Sequence, residues 1–125
     1  MNENIQDYTI VYPIPVEQAE QFARENIADI RYVYDLAYKM GYSRSYFYTK
    51  VSEAYNMKPV ELLREVRFGC IREEILAHQN ETSRAIAQRV GLRDEQAMYK
   101  FLARYWDTNF TLLRRQLLFK PRKKE

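Results

Sequence analysis

Few side chains in this chain are suited to covalent chemistry. One cysteine, Cys70, and one histidine, His78, are present. They are too few soft ligands for a structural zinc site, and a lone cysteine cannot close an internal disulfide. No Ser/His/Asp spacing, phosphate-cradling glycine loop or metal cluster occurs, so an enzyme is not expected and no cofactor is implied. What the chain offers is charge and aromatic surface. Residues 1–30 hold a single base, Arg24, against six acids (Glu3, Asp7, Glu17, Glu20, Glu25, Asp29), whereas residues 31–125 hold 19 bases and 11 acids. An acidic lead followed by a basic body points to a body that faces a polyanion, or more plainly to a solvated surface with a basic tail. Of eleven tyrosines, Tyr32, Tyr34, Tyr38, Tyr42, Tyr46 and Tyr48 crowd into one stretch. Such aromatics can stack on the bases of a single strand. The reading preferred for helical tyrosines is structural, with the ring packed and the hydroxyl at the surface.

Helices must position these groups. The 125 residues, 46% hydrophobic and 30% charged, suit one small globular domain, and 3 Gly with 4 Pro leave too little turn chemistry for a many-stranded fold. No window approaches the roughly 18 apolar residues of a membrane helix, and the N-terminus has no basic-then-apolar signal. A cytoplasmic protein with no membrane partner is expected. Residues 1–15 alternate loosely (Ile5, Tyr8, Ile10, Tyr12) and end in Pro13 and Pro15, as an extended arm would. Val16, Ala19, Phe22, Ala23 and Ile27 then predict a first helix. Asp29 is expected to cap the next one, which carries Val33, Leu36, Ala37 and Met40 and stops at Gly41. Ser43 caps a helix over Arg44 to Ala54 with Phe47, Val51 and Ala54 inward, and Pro59 opens a long helix to about His78. Thr82 or Ser83 caps a helix with Ile86, Ala87 and Val90 that Gly91 ends. Asp94 caps another, with Met98, Phe101, Leu102 and Tyr105 inward, and a last helix starts near Asn109 with Leu112, Leu113 and Leu117. Cys70 reads as a small core residue, His78 as a partner of its helix's C-terminal dipole, and Trp106 and Tyr105 as core of the second half. The expectation is an all-α fold of about seven helices.

The pattern occurs twice. Leu36-Ala37, Gly41 and Ser43 are answered fifty residues later by Ile86-Ala87, Gly91 and, one residue further on, Asp94. Each unit is a short helix, a glycine turn and a cap opening a second helix, which is the helix-turn-helix arrangement. The long helix between the units spans roughly 30 Å. That is close to the ~34 Å advance of one B-DNA turn, so both second helices can reach successive major grooves on one face.

The stretch from about Asp29 to Gln116 resembles the DNA-binding domain of the AraC/XylS family of bacterial transcription regulators. Its first half carries Leu36-Ala37, Gly41-Tyr42-Ser43, Tyr46-Phe47, Lys58-Pro59, Leu63-Arg64 and Arg67. Its second half carries Ile86-Ala87, Val90-Gly91-Leu92, Asp94, Lys100, Arg104 and Arg114. Where that family usually has glycine, this chain has Asn56 and Asp107, both tolerant of the left-handed region. Ser83, Leu92 and Phe110 also depart from the family's usual isoleucine, phenylalanine and proline. The division expected is an arm and first helix over 1–28, a tandem helix-turn-helix domain over 29–117 and a basic tail over 118–125. Within the tandem domain the first unit is 29–58, the linker helix 59–78 and the second unit 79–117.

The resemblance implies that the first recognition helix presents Arg44, Ser45, Tyr48 and Thr49, and the second Glu95, Gln96, Tyr99 and Lys100. Thr49 falls where an arginine often reads bases and cannot make that bidentate contact; Arg44 or Lys50 is placed to compensate, Lys50 otherwise meeting a phosphate. Gln96 can pair with adenine, Glu95 can accept from cytosine or merely favour its helix dipole, and Lys100 can reach guanine or phosphate. Arg44, Lys58, Arg93 and Lys100 sit where positive charge and exposed helix N-termini suit phosphate. Arg67 and Arg114 read as structural arginines bridging helices. The expected function is a sequence-specific regulator that binds double-stranded DNA as a monomer, since one chain supplies both recognition helices. Contact with RNA polymerase is implied by the resemblance alone. Many members carry a separate sensor or dimerising domain, and none is expected within the 28 residues before the resembling stretch. The competing expectation is a helix-turn-helix module that has lost DNA readout and binds another regulator.

Overall fold

Short polar side chains start the helices at most of the places the sequence marks for them. In the computed structural model, which describes residues 11–119, seven α-helices follow one another with no strand among the described residues: α1 (Ala19–Glu25), α2 (Val33–Met40), α3 (Arg44–Tyr55), α4 (Pro59–Ala77), α5 (Ser83–Arg89), α6 (Glu95–Trp106) and α7 (Phe110–Leu118). The sequence positions Ile5, Tyr8 and Ile10 of the arm and Lys120 to Lys124 of the tail lie outside the described residues. Ser43 Oγ accepts from the Tyr46 N–H, Thr82 Oγ1 from Ala85, Asp94 Oδ1 from Ala97 and Asn109 Oδ1 from Leu112. Each satisfies a donor that its helix leaves unpaired at the N-terminus.

Two starts differ from expectation. The first predicted helix is broken into a 3-10 turn (Val16–Gln18), α1 and a second 3-10 turn (Ile27–Asp29). Asp29 belongs to that second turn and does not cap α2. The cap position is Tyr32, and the Asp35 carboxylate reaches back to the N–H groups of Arg31 and Tyr32, 2.9 Å from each. Glu61 does the same for Lys58 at the start of α4, behind Pro59 at the first helical position.

The 19-residue α4 is the spine. It packs against α1, α2, α3, α5 and α7, burying Leu62, Leu63, Val66, Cys70, Ile71 and Ile75. Val60 and Leu76 of α4 are exposed, as is Ala54 on α3, which was expected inward. Tyr105, expected inward, is exposed too, as is Leu112 of α7. Trp106 does join the packing, its ring stacked on Phe68 of α4 at 4.2 Å and 7°. Cys70 is buried, and burial pushes its thiol pKa up.

Arg67 ties the two halves together at the centre of α4. Only 4% exposed, it donates from Nη1 to the carbonyls of Ile30 (2.9 Å) and Val90 (2.5 Å) and from Nη2 to that of Arg31 (3.2 Å). Desolvation lowers its pKa to about 10, which leaves it charged at neutral pH. Beside it Gly91, at φ +81°, is packed so closely that a Cβ would stand 2.3 Å from the Ile27 carbonyl oxygen and 2.6 Å from Arg67 Nη1. Arg114 plays a similar part for α7, donating to the Glu81 carbonyl and lying 4.6 Å from the Phe110 ring. Both arginines therefore bridge elements, as the sequence suggested.

Candidate nucleic-acid interface

α3 and α6 are built alike. Both are 12 residues long and both end on a non-glycine residue in the left-handed region, Asn56 at φ 55° and Asp107 at φ 49°. The replaced glycines thus keep the turn geometry, because Asn and Asp tolerate that region. The turns that precede them match as well: Gly41 and Gly91 have positive φ, and the next residue's N–H bonds the carbonyl of Ala37 in one case and of Ala87 in the other, 2.9 Å each. One extra residue, Arg93, lengthens the second turn.

Register then fixes the exposed face. Phe47 and Val51 on α3, and Met98 and Leu102 on α6, are buried. Their four-residue spacing turns the intervening positions outward. Arg44, Ser45, Tyr48 and Thr49 are all exposed on α3, and Glu95, Gln96, Tyr99 and Lys100 are all exposed on α6. Lys58 and Arg93 are exposed beside the starts of α4 and α6. Among the described residues, Arg44, Lys58 and Lys100 make no ion pair, whereas Arg93 Nε stands 3.3 Å from its neighbour Asp94. Lys50 is the outlier of the set. It is half-buried, pairs with Glu53 at 3.6 Å, lies 5.5 Å from the Tyr46 ring and lines a depression with Pro15, Val16 and Glu17, on the side of α3 that the arm covers.

Electrostatics separate the two helices. The first turn of α3 contains no acid, whereas α6 starts with Asp94 and Glu95. The Ala97 N–H holds the Asp94 carboxyl below the usual carboxylate range, so it is ionised at neutral pH. Asp94, Glu95, Gln96 and Tyr99 face Asn109 and Thr111 across an open groove between the starts of α6 and α7.

The tyrosine cluster departs from the structural reading. Tyr42 is half-buried and Tyr32, Tyr34, Tyr38, Tyr46 and Tyr48 are exposed. Several rings cover one another at the surface: Tyr32 stacks on Tyr34 at 5.3 Å and Tyr42 on Tyr46 at 5.7 Å. Two hydroxyls are structural. Tyr42 donates to the Ile14 carbonyl at 2.6 Å, and Tyr55 lies within 3.1 Å of the carbonyls of Val16 and Glu17, so the first pins the arm and the second the 3-10 turn that follows it against the first unit. Tyr55 had no distinguishing signal in the sequence, because its partners are backbone atoms 38 and 39 residues away.

Among the described residues no cluster of three His, Cys, Asp or Glu side chains stands where a metal ion would fit. No helix of the described residues is long and apolar enough to cross a membrane. A family model described as a helix-turn-helix domain matches residues 36–116, from Leu36 on α2 to Gln116 on α7. No curated protein and no solved structure matches the chain.

Proposed function

From the premise that the chain belongs to the AraC/XylS type of helix-turn-helix DNA-binding domain, we propose that it is a sequence-specific regulator that inserts α3 and α6 into successive major grooves of double-stranded DNA. Membership itself makes it a DNA-binding regulatory domain; the two-groove, sequence-reading mode is the proposal. One observation carries it. All eight positions proposed for recognition are exposed, while the opposite faces are buried, Phe47 and Val51 of α3 on a helix that packs against α2 and α4, Met98 and Leu102 of α6 on one that packs against α5 and α7. A helix with its polar face free and its apolar face fixed can enter a groove without rearranging.

In this reading Gln96 pairs with adenine, Glu95 accepts from cytosine N4, and Arg44, Lys58, Arg93 and Lys100 hold phosphates. Thr49 offers one hydroxyl where an arginine would offer a fork, so base readout in the first groove falls to Ser45 and Tyr48. One chain supplies both helices, so it binds an asymmetric site as a monomer.

A salt titration tests this directly. With about 6–8 phosphate contacts, affinity for duplex DNA falls roughly a thousandfold or more between about 50 and 200 mM salt. Gln96→Ala costs about 1–3 kcal/mol on the preferred site and little on random duplex, whereas Lys100→Ala weakens both about equally. Affinity that ignores salt, with equal losses from the two variants on every sequence, contradicts the reading and favours a module that binds another regulator.

A further inference from the structure

Tyr34 and Tyr38 are four residues apart on α2 and share a face. They are 47% and 83% exposed, and neither hydroxyl bonds a described residue, in contrast to Tyr42 and Tyr55. With Asp35, Tyr42, Ser43 and Arg44 they line a shallow depression where α2 meets α3. The Arg44 guanidinium lies 5.7 Å from the Tyr34 ring centre and has no carboxylate partner among the described residues. Asp35, the one acid in the wall, is engaged by the N–H groups of Arg31 and Tyr32.

Resting on the DNA reading above, we propose that this depression takes the sugar–phosphate backbone at the edge of the first major groove. Tyr34 and Tyr38 donate their hydroxyls to phosphate oxygens, and Arg44 supplies the charge. Continuity identifies the occupant: Ser43, which caps α3, and Arg44, its first residue, both line the depression, and the first helix of such a unit crosses the backbone. The chemistry fits, because a phenol donating to an ionised oxygen makes a charge-assisted bond while its ring lies against the sugar. A phenol also releases no counterion. These two contacts therefore add affinity that salt does not remove.

The test is the Tyr34→Phe/Tyr38→Phe double variant, which keeps both rings and loses no bond within the described protein. Binding to a random-sequence duplex is titrated between about 50 and 200 mM salt. The double variant binds roughly tenfold more weakly at every salt concentration, with an unchanged salt slope and unchanged melting temperature. Arg44→Ala instead lowers the slope by about 0.9. Binding by the double variant within about twofold of the parent overturns this contact alone. A parent protein that does not bind duplex at about 50 mM salt overturns the DNA reading and this contact with it.

Discussion

Ser43 and Asp94 cap helices of equal length in the same register, yet they set opposite electrostatics at the two places where DNA is expected to enter. The first unit presents Arg44 and a field of exposed tyrosines, with no acid in the first turn of α3. The second presents Glu95 beside an ionised Asp94, and its turn is locked into the core by Gly91 and Arg67. Gly41 has looser surroundings: a Cβ there would meet Pro13 and Tyr12 of the arm at 3.2 Å. Backbone geometry is thus duplicated while packing and charge are not. The start of α3 is the one whose local charge suits a polyanion, and the turn before α6 is the one packed more tightly into the fold.

The most severe way to break this comparison is Gly91→Ala. Its Cβ would fall 2.3 Å from the Ile27 carbonyl oxygen at a positive φ, so a loss of about 4 kcal/mol or more is expected, seen as a lower denaturant midpoint or as failure to fold. Arg67→Met leaves three carbonyls without their donor and costs about 3 kcal/mol by the same measurement. Gly41→Ala costs about 1–2 kcal/mol, chiefly for the left-handed backbone. Equal losses at Gly41 and Gly91 would erase the proposed difference in packing. On the DNA side, Asp94→Asn/Glu95→Gln removes two negative charges from α6 and tightens binding to random duplex about three- to tenfold at low salt. The smallest effect is a pH dependence. The folded state holds the Asp94 pKa below its unfolded value. Its contribution to stability is therefore full above about pH 4 and is lost as pH falls through the lower folded value. Asp94→Asn keeps a capping oxygen but not the charge, so its melting temperature falls less across that acid window.

Helix order and the duplicated glycine turns were legible in the sequence because caps and periodicity are local signals, whereas the positions proposed for recognition came from the family resemblance. Ser43, Asp94, Asn56 and Asp107 each do locally what their side chains favour. Arg67 and Arg114 read as bridging arginines in preference to DNA contacts, and both do bridge elements. The misses are tertiary. Asp29 has the chemistry of a cap, but the chain turns before it can serve, and Asp35 reaches back from within α2 instead. Tyr105 fits the apolar stripe of α6 by spacing, yet it faces solvent with the Arg64 guanidinium 4.0 Å from its ring. The tyrosines were read as packed because a ring on a short helix usually finds a neighbour. Here several neighbours are other surface tyrosines, which no periodicity reveals.

The central claim is that one chain reads two grooves, the first with the stronger hold. Selecting bound sequences from a random duplex library at two salt concentrations tests it most directly. The account predicts an asymmetric motif of two boxes about one helical turn apart. The box read by α6 should be the weaker of the two at low salt and should change less as salt rises, since Asp94 and Glu95 offset the attraction of Lys100 and Arg93 there. A single box, or no enrichment at either salt, would contradict the two-headed reader.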